Sequence, residues 1–192
     1  MKLRHSLYAL ALALAFTPAL AFAHPGHDAS GLMSGIAHPI TGLDHLLAML
    51  AVGLWAAQQK GAARWALPAT FVGTMLIGGL FGFEGMELPF MEQGIASSVL
   101  ALGLLVAVAV RPPMAVAVGL TALFALAHGV AHGLELPEIA SPWGYAAGFV
   151  AATAALHAIG YALVRVLPQA ASPLVRLAGA ASALTGAWML AG

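Results

Sequence analysis

Cysteine is absent from the 192 residues, which excludes a disulfide framework and any thiolate metal site. Any metal chemistry must therefore use nitrogen and oxygen donors. Charge is nearly as scarce: Asp, Glu, Lys and Arg make up 7% of the chain, against about 25% in a soluble domain. The seven basic and seven acidic residues cancel, so no polybasic surface points to nucleic acid or to anionic lipid. No Gly-x4-Gly-Lys-Ser/Thr phosphate loop occurs, which argues against direct ATP drive by this chain. What fills the space is apolar. Hydrophobic residues reach 61% and the mean hydropathy is +0.94, the profile of a membrane protein.

The chain opens like a targeting signal. Lys2 and Arg4 form a basic start, "LYALALALAF" follows as a short apolar core, and "AFA" ending at Ala23 supplies small residues for cleavage. That core is shorter than the roughly 20 residues a spanning helix needs. Residues 1–23 are therefore expected to be a removed signal peptide, with 24–192 as the mature domain. Six apolar runs of spanning length follow, near 33–57, 65–83, 92–110, 114–134, 143–166 and 172–191. The expected fold is an all-α membrane protein, one bundle of six transmembrane helices joined as antiparallel hairpins. "GTMLIGGLFG" and "LAGAASALTGA" provide small residues for close helix contact.

The charges sort by side. Lys60, Arg64, Arg111, Arg165 and Arg176 fall in or beside alternate breaks, while Asp28, Glu84, Glu87, Glu92, Glu135 and Glu138 fall at the opposite ones. The positive-inside rule then puts the basic breaks in the cytoplasm, with the mature N-terminus and the C-terminus periplasmic in a bacterial inner membrane. The acidic outer face would raise the local concentration of cations.

Two polar clusters interrupt the apolar runs. "HPITGLDH" carries His38, Asp44 and His45 in the first span, and "AHGVAHGLE" carries His128, His132 and Glu135 as one helical stripe in the fourth. On a straight helix His38 and His45 would stand about 10 Å apart and could not share an ion. Pro39 and Gly42 lie between them, so an irregular turn is expected there. Counting residues inward puts both clusters in the outer half of the bilayer, facing one cavity. Imidazole with carboxylate suits divalent Ni, Co, Zn or Cu better than Mg or Ca. A buried Asp costs about 2.5–3.5 kcal/mol on insertion scales, which marks Asp44 as functional: it offsets a dication's charge, or it fixes the tautomer of a ligating imidazole.

These two motifs together, the "HPGHD" start at His24 and "PFMEQGIASSVLALG" at the third span resemble the HupE/UreJ family of nickel and cobalt permeases over nearly the whole chain. The resemblance implies uptake of Ni2+, or Co2+, for nickel-dependent enzymes such as hydrogenase or urease, with no prosthetic group and no catalysis. It assigns metal contact to His38, Asp44, His45, His128, His132 and Glu135. Ala127 departs from the pattern, which has a bulkier aromatic before the first histidine of the second motif. The exposed amine and imidazole of His24 would add a loose collector after cleavage. An intramembrane zinc-dependent hydrolase, with His45, His128 and His132 as ligands, Asp44 as base and Ser97 or Ser98 assisting, is the alternative.

Other features read more plainly. Met33, Met49, Met75, Met86, Met91, Met114 and Met189 form no stripe, which argues against a thioether path. Trp55, Trp65 and Trp143 sit near span ends as interfacial anchors. His157, deep in the fifth span, reads either as an exit waystation or as core packing. "GMELP" at 85–89 echoes "GLELP" at 133–137, by duplication or by chance.

Overall fold

The computed structural model describes residues 31–136 and 141–192. The expected signal peptide, His24 and Glu138 lie outside them. Seven α-helices follow one another: α1 (Gly31–Thr41), α2 (Leu43–Gln58), α3 (Ala63–Phe83), α4 (Met91–Val108), α5 (Met114–Leu134), α6 (Pro142–Val166) and α7 (Ser172–Ala191). Five of them are long and apolar enough to cross a bilayer, and α1 with α2, bent by 81° at their break, make a sixth if the pair is one span. The protein is an all-α membrane protein. Its outward side chains include Leu80, Leu123, Leu163, Leu177 and Leu184, the apolar coat that a hydrocarbon solvent requires.

Local chemistry sets the helix ends. Ser141 caps α6 by accepting from the Gly144 N–H at 3.3 Å, and Pro142 starts the helix where its missing N–H costs nothing. Gly85, at φ +82°, ends α3, with the Met86 N–H reaching back to the Phe81 carbonyl at 2.9 Å. Gly133, its partner in the pentapeptide echo, instead lies inside α5 against the Gly79 backbone. The two pentapeptides thus do different structural work.

Tight pairing does not follow the hairpin order. Instead α3 packs most closely on α5, α4 on α7, and both halves of the bent α1–α2 pair on α6. Glycine sets these partners, because only a missing Cβ lets two backbones approach so closely. A Cβ at Gly78 would lie 2.6 Å from the Leu126 carbonyl oxygen, and one at Gly179 would lie 2.7 Å from the Ala107 nitrogen. Gly35 and Gly148 bring α1 onto α6, and Gly53 and Gly160 bring α2 onto it. The contact order shows α3 and α5 running parallel, α1–α2 parallel to α6, and α4 antiparallel to α7. Those directions agree with six alternating spans.

The charged ends separate as the sequence suggests. At the basic end Arg111 Nε donates to the Gln58 carbonyl and Arg176 Nε to the Ala107 carbonyl, each at 2.6 Å, satisfying terminal carbonyls of α2 and α4. Trp55 is a correction. It is wholly buried, and its indole N–H donates to the Val110 carbonyl at 2.9 Å, so it ties α2 to the α4 terminus rather than anchoring at lipid. Trp65 and Trp143 are exposed. Glu84, Glu87, Glu92 and Glu135 gather at the acidic end.

Candidate metal centre

The break between α1 and α2 builds the site. Pro39 has no N–H to continue the α1 ladder, and Gly42 is extended at ψ 116°, so the chain turns there and α2 restarts at Leu43. The buried side of α1, Gly31, Gly35 and Pro39, lies toward α6, so this irregular backbone is sheltered by protein. The turn overturns the straight-helix separation of His38 and His45. Their ring centroids are 5.3 Å apart.

The α5 stripe closes on them. His132 lies 4.7 Å from His38 and 4.6 Å from His45 between ring centroids, and His128 lies 4.8 Å from His45. One ligand nitrogen from each of His38, His45 and His132 falls within 4.8 Å of the others, the one such group among the described residues. His128 adjoins it on the side toward the basic end. Every site residue expected in the described part of the chain is therefore brought to one place.

Hydrogen bonds orient three of these rings. Asp44 Oδ1 accepts from the His45 Nδ1–H at 2.8 Å and from the His45 backbone N–H at 2.7 Å. A carboxylate oxygen only accepts, so His45 keeps its lone pair on Nε2, which is buried with no hydrogen-bond partner among the described residues. Of the two roles open to Asp44, this geometry favours holding the imidazole, and the same charge sits well at the α2 N-terminus. His38 Nε2 donates to Glu135 Oε2 at 2.9 Å, leaving Nδ1 free. That bond holds the Glu135 carboxyl below its ordinary value, so it stays ionised as an acceptor.

His128 is set by a residue that sequence reasoning gave only to the hydrolase alternative. The Ser98 hydroxyl donates its one proton to the Ile95 carbonyl at 2.6 Å, so at 2.8 Å from His128 Nε2 it accepts. The His128 lone pair then lies on Nδ1, buried and unpartnered. His132 has no hydrogen-bond partner on either nitrogen among the described residues; its ring stacks on Phe149 at 4.8 Å with 2° between planes. Nothing in the sequence singled out Phe149. In a bilayer an imidazole nitrogen without a partner is costly, and here three adjoining rings, His45, His128 and His132, each bury one among the described residues.

Two cavities adjoin the site. A cavity of about 270 Å³ between α2, α4 and the end of α7 is lined by Asp44, Glu92, Gln93, Ala96, Met189 and Leu190. A second, apolar cleft of about 220 Å³ reaches His132 between α3, α5 and α6, past Phe83, Trp143 and Phe149. The first suits a cation, since two carboxylates face it. The second offers an ion only His132 and Tyr145 among its polar side chains.

Comparison with known proteins places the chain. Residues 11–189 match the family described as HupE / UreJ protein. The chain is 46% identical over all 192 residues to Protein HupE of Rhizobium leguminosarum bv. viciae, covering 98% of that protein. No solved structure matches it.

Proposed function

The chain belongs to the HupE/UreJ family, and from that membership and the imidazole cluster we propose that it is a membrane permease for divalent transition-metal ions, Ni2+ first, with Co2+ and Zn2+ as competitors. The observation that carries the reading is the convergence of His38, His45 and His132 inside an apolar bundle, one possible ligand atom of each lying within 4.8 Å of the others. These donors replace hydration water within the outer half of the membrane, and the ion is the substrate, destined for nickel-dependent enzymes. The basic end faces the cytoplasm and the acidic end the periplasm of an inner membrane. Three imidazoles at unequal spacing suit an ion that must leave again better than a rigid tetrahedral cage does. His24, freed by cleavage after Ala23, serves as a loose collector above the entrance.

The hydrolase alternative gains no support from the donor arrangement. Asp44 Oδ1 is engaged by the His45 ring and backbone N–H, and Ser98 is wholly buried with its hydroxyl donating to the Ile95 carbonyl.

Saturable uptake of Ni2+ into vesicles containing the purified chain, run in competition with Co2+ and Zn2+, tests the permease. Uptake no faster than that of protein-free vesicles would remove the reading. The acidic entrance adds a milder expectation. Glu92→Gln should raise the half-saturating Ni2+ concentration about threefold to tenfold with little change in maximal rate, and added salt should narrow the gap by screening the wild-type charge. An unaltered half-saturation would assign Glu92 to solubility alone.

A further inference from the structure

Beyond the imidazole cluster, toward the basic end, α6 continues a line of inward side chains. Tyr145, Phe149, Thr153 and His157 succeed one another at four-residue steps on its buried face and cover about 18 Å along the axis. Phe149 stacks on His132. One turn on, the Thr153 hydroxyl lies 3.2 Å from Met49 Sδ and 3.9 Å from Met75 Sδ. The thioethers that looked scattered in sequence therefore meet from two helices at one level. A further turn on, His157 is buried, with no hydrogen-bond partner on either nitrogen among the described residues.

Phe71 separates the two levels. Its ring lies 5.7 Å from that of His128 and 5.2 Å, edge-on at 87°, from that of His157. A phenyl ring offers a dication no lone pair, so along this line the next nitrogen donor after His128 is His157. A leucine at position 157 would pack there without stranding two polar nitrogens, so packing alone does not account for an imidazole.

We propose that His157 is a second metal-binding station, separated from the first by Phe71 and approached past the Met49 and Met75 thioethers, which receives the transported dication on its way to the basic end. The inference rests on the permease reading. Imidazole nitrogen, with thioether sulfur on the approach, suits transition-metal ions and disfavours Mg2+ and Ca2+, so this inner level discriminates against those hard ions a second time.

Co2+ is the probe, because its visible absorption reports its ligands. Wild-type chain in lipid nanodiscs should bind two Co2+ by equilibrium dialysis. His157→Asn, which keeps a polar side chain of similar bulk, should lose one of them, leave the spectrum of the other unchanged and cut vesicle uptake of Ni2+. An undiminished Co2+ count in a monodisperse His157→Asn protein overturns the station. Should that variant fail to fold, anomalous diffraction from wild-type crystals soaked in Co2+ decides instead: a peak at the His157 imidazole supports the station, and peaks confined to the outer cluster overturn it. The two readings fail separately. Normal wild-type Ni2+ uptake with an unchanged Co2+ count removes only the inner station, whereas absence of saturable wild-type uptake removes the permease and the station with it.

Discussion

Alanine at His45 is expected to reduce Ni2+ uptake to that of empty vesicles at limiting metal, while the protein remains folded in the membrane. His45 stands at the centre of the cluster, adjoining His38, His128 and His132, and its Nε2 is the nitrogen whose lone pair a neighbouring carboxylate has fixed. Removing it leaves an ion with too few donors to offset the loss of its water. Asp44 separates orientation from ligation. In Asp44→Asn the amide oxygen can still accept from His45 Nδ1, so the tautomer survives but the charge does not; the expected loss is about 10- to 100-fold in apparent affinity. Asp44→Ala removes both and should approach His45→Ala. Vesicle uptake over a Ni2+ series gives the order directly. Near-normal uptake by His45→Ala at limiting Ni2+ would defeat the shared-site reading, and Asp44→Asn as inactive as His45→Ala would make Asp44 a ligand instead.

How much of this site the sequence announces depends on whether the information is local. The two histidine motifs are local: polar residues at helical spacing inside apolar runs are expensive, so their presence alone marks function. Pro39 and Gly42 likewise announce a break. The amount of bending is another matter, since the 81° turn depends on α1 and α2 both resting on α6, a partner distant in the chain. That is why His38 and His45 look separate in sequence and adjoin in space. Met49, Met75 and Thr153 were illegible for the same reason, as they lie on three helices and share no sequence period. Trp55 looked like an interfacial anchor because it lies near a span end, yet what buries it is the α4 terminus, which no local pattern reveals. Glycines told of close contact but not with whom.

Those partners carry the second large expectation. Gly129 sits between the two metal-site histidines of α5, and a Cβ there would lie 2.9 Å from the Gly79 nitrogen; at Gly78 it would lie 2.6 Å from the Leu126 carbonyl oxygen. Backbone cannot swing aside as a side chain can, so Gly78→Ala or Gly129→Ala must force α3 and α5 apart. Overpacking of this kind costs about 1–3 kcal/mol and here also shifts the helix that carries His128 and His132. Site geometry tolerates only about 0.5 Å of displacement, so metal binding should fall along with stability. The same two helices supply their own controls. A Cβ added at Gly73 in α3 or at Gly119 in α5 would find no neighbour within 4 Å, so alanine there removes a glycine and meets open space. Those variants should equal the wild type or exceed it by up to about 1 kcal/mol, the helix-propensity difference measured in water. Heating detergent-solubilised protein and scoring the surviving monodisperse fraction ranks all four. The interlocked pair should melt several degrees lower and bind less Co2+, and the open pair should do neither. If Gly73→Ala proved as damaging as Gly129→Ala, small size alone, and not the α3–α5 contact, would be what the bundle requires.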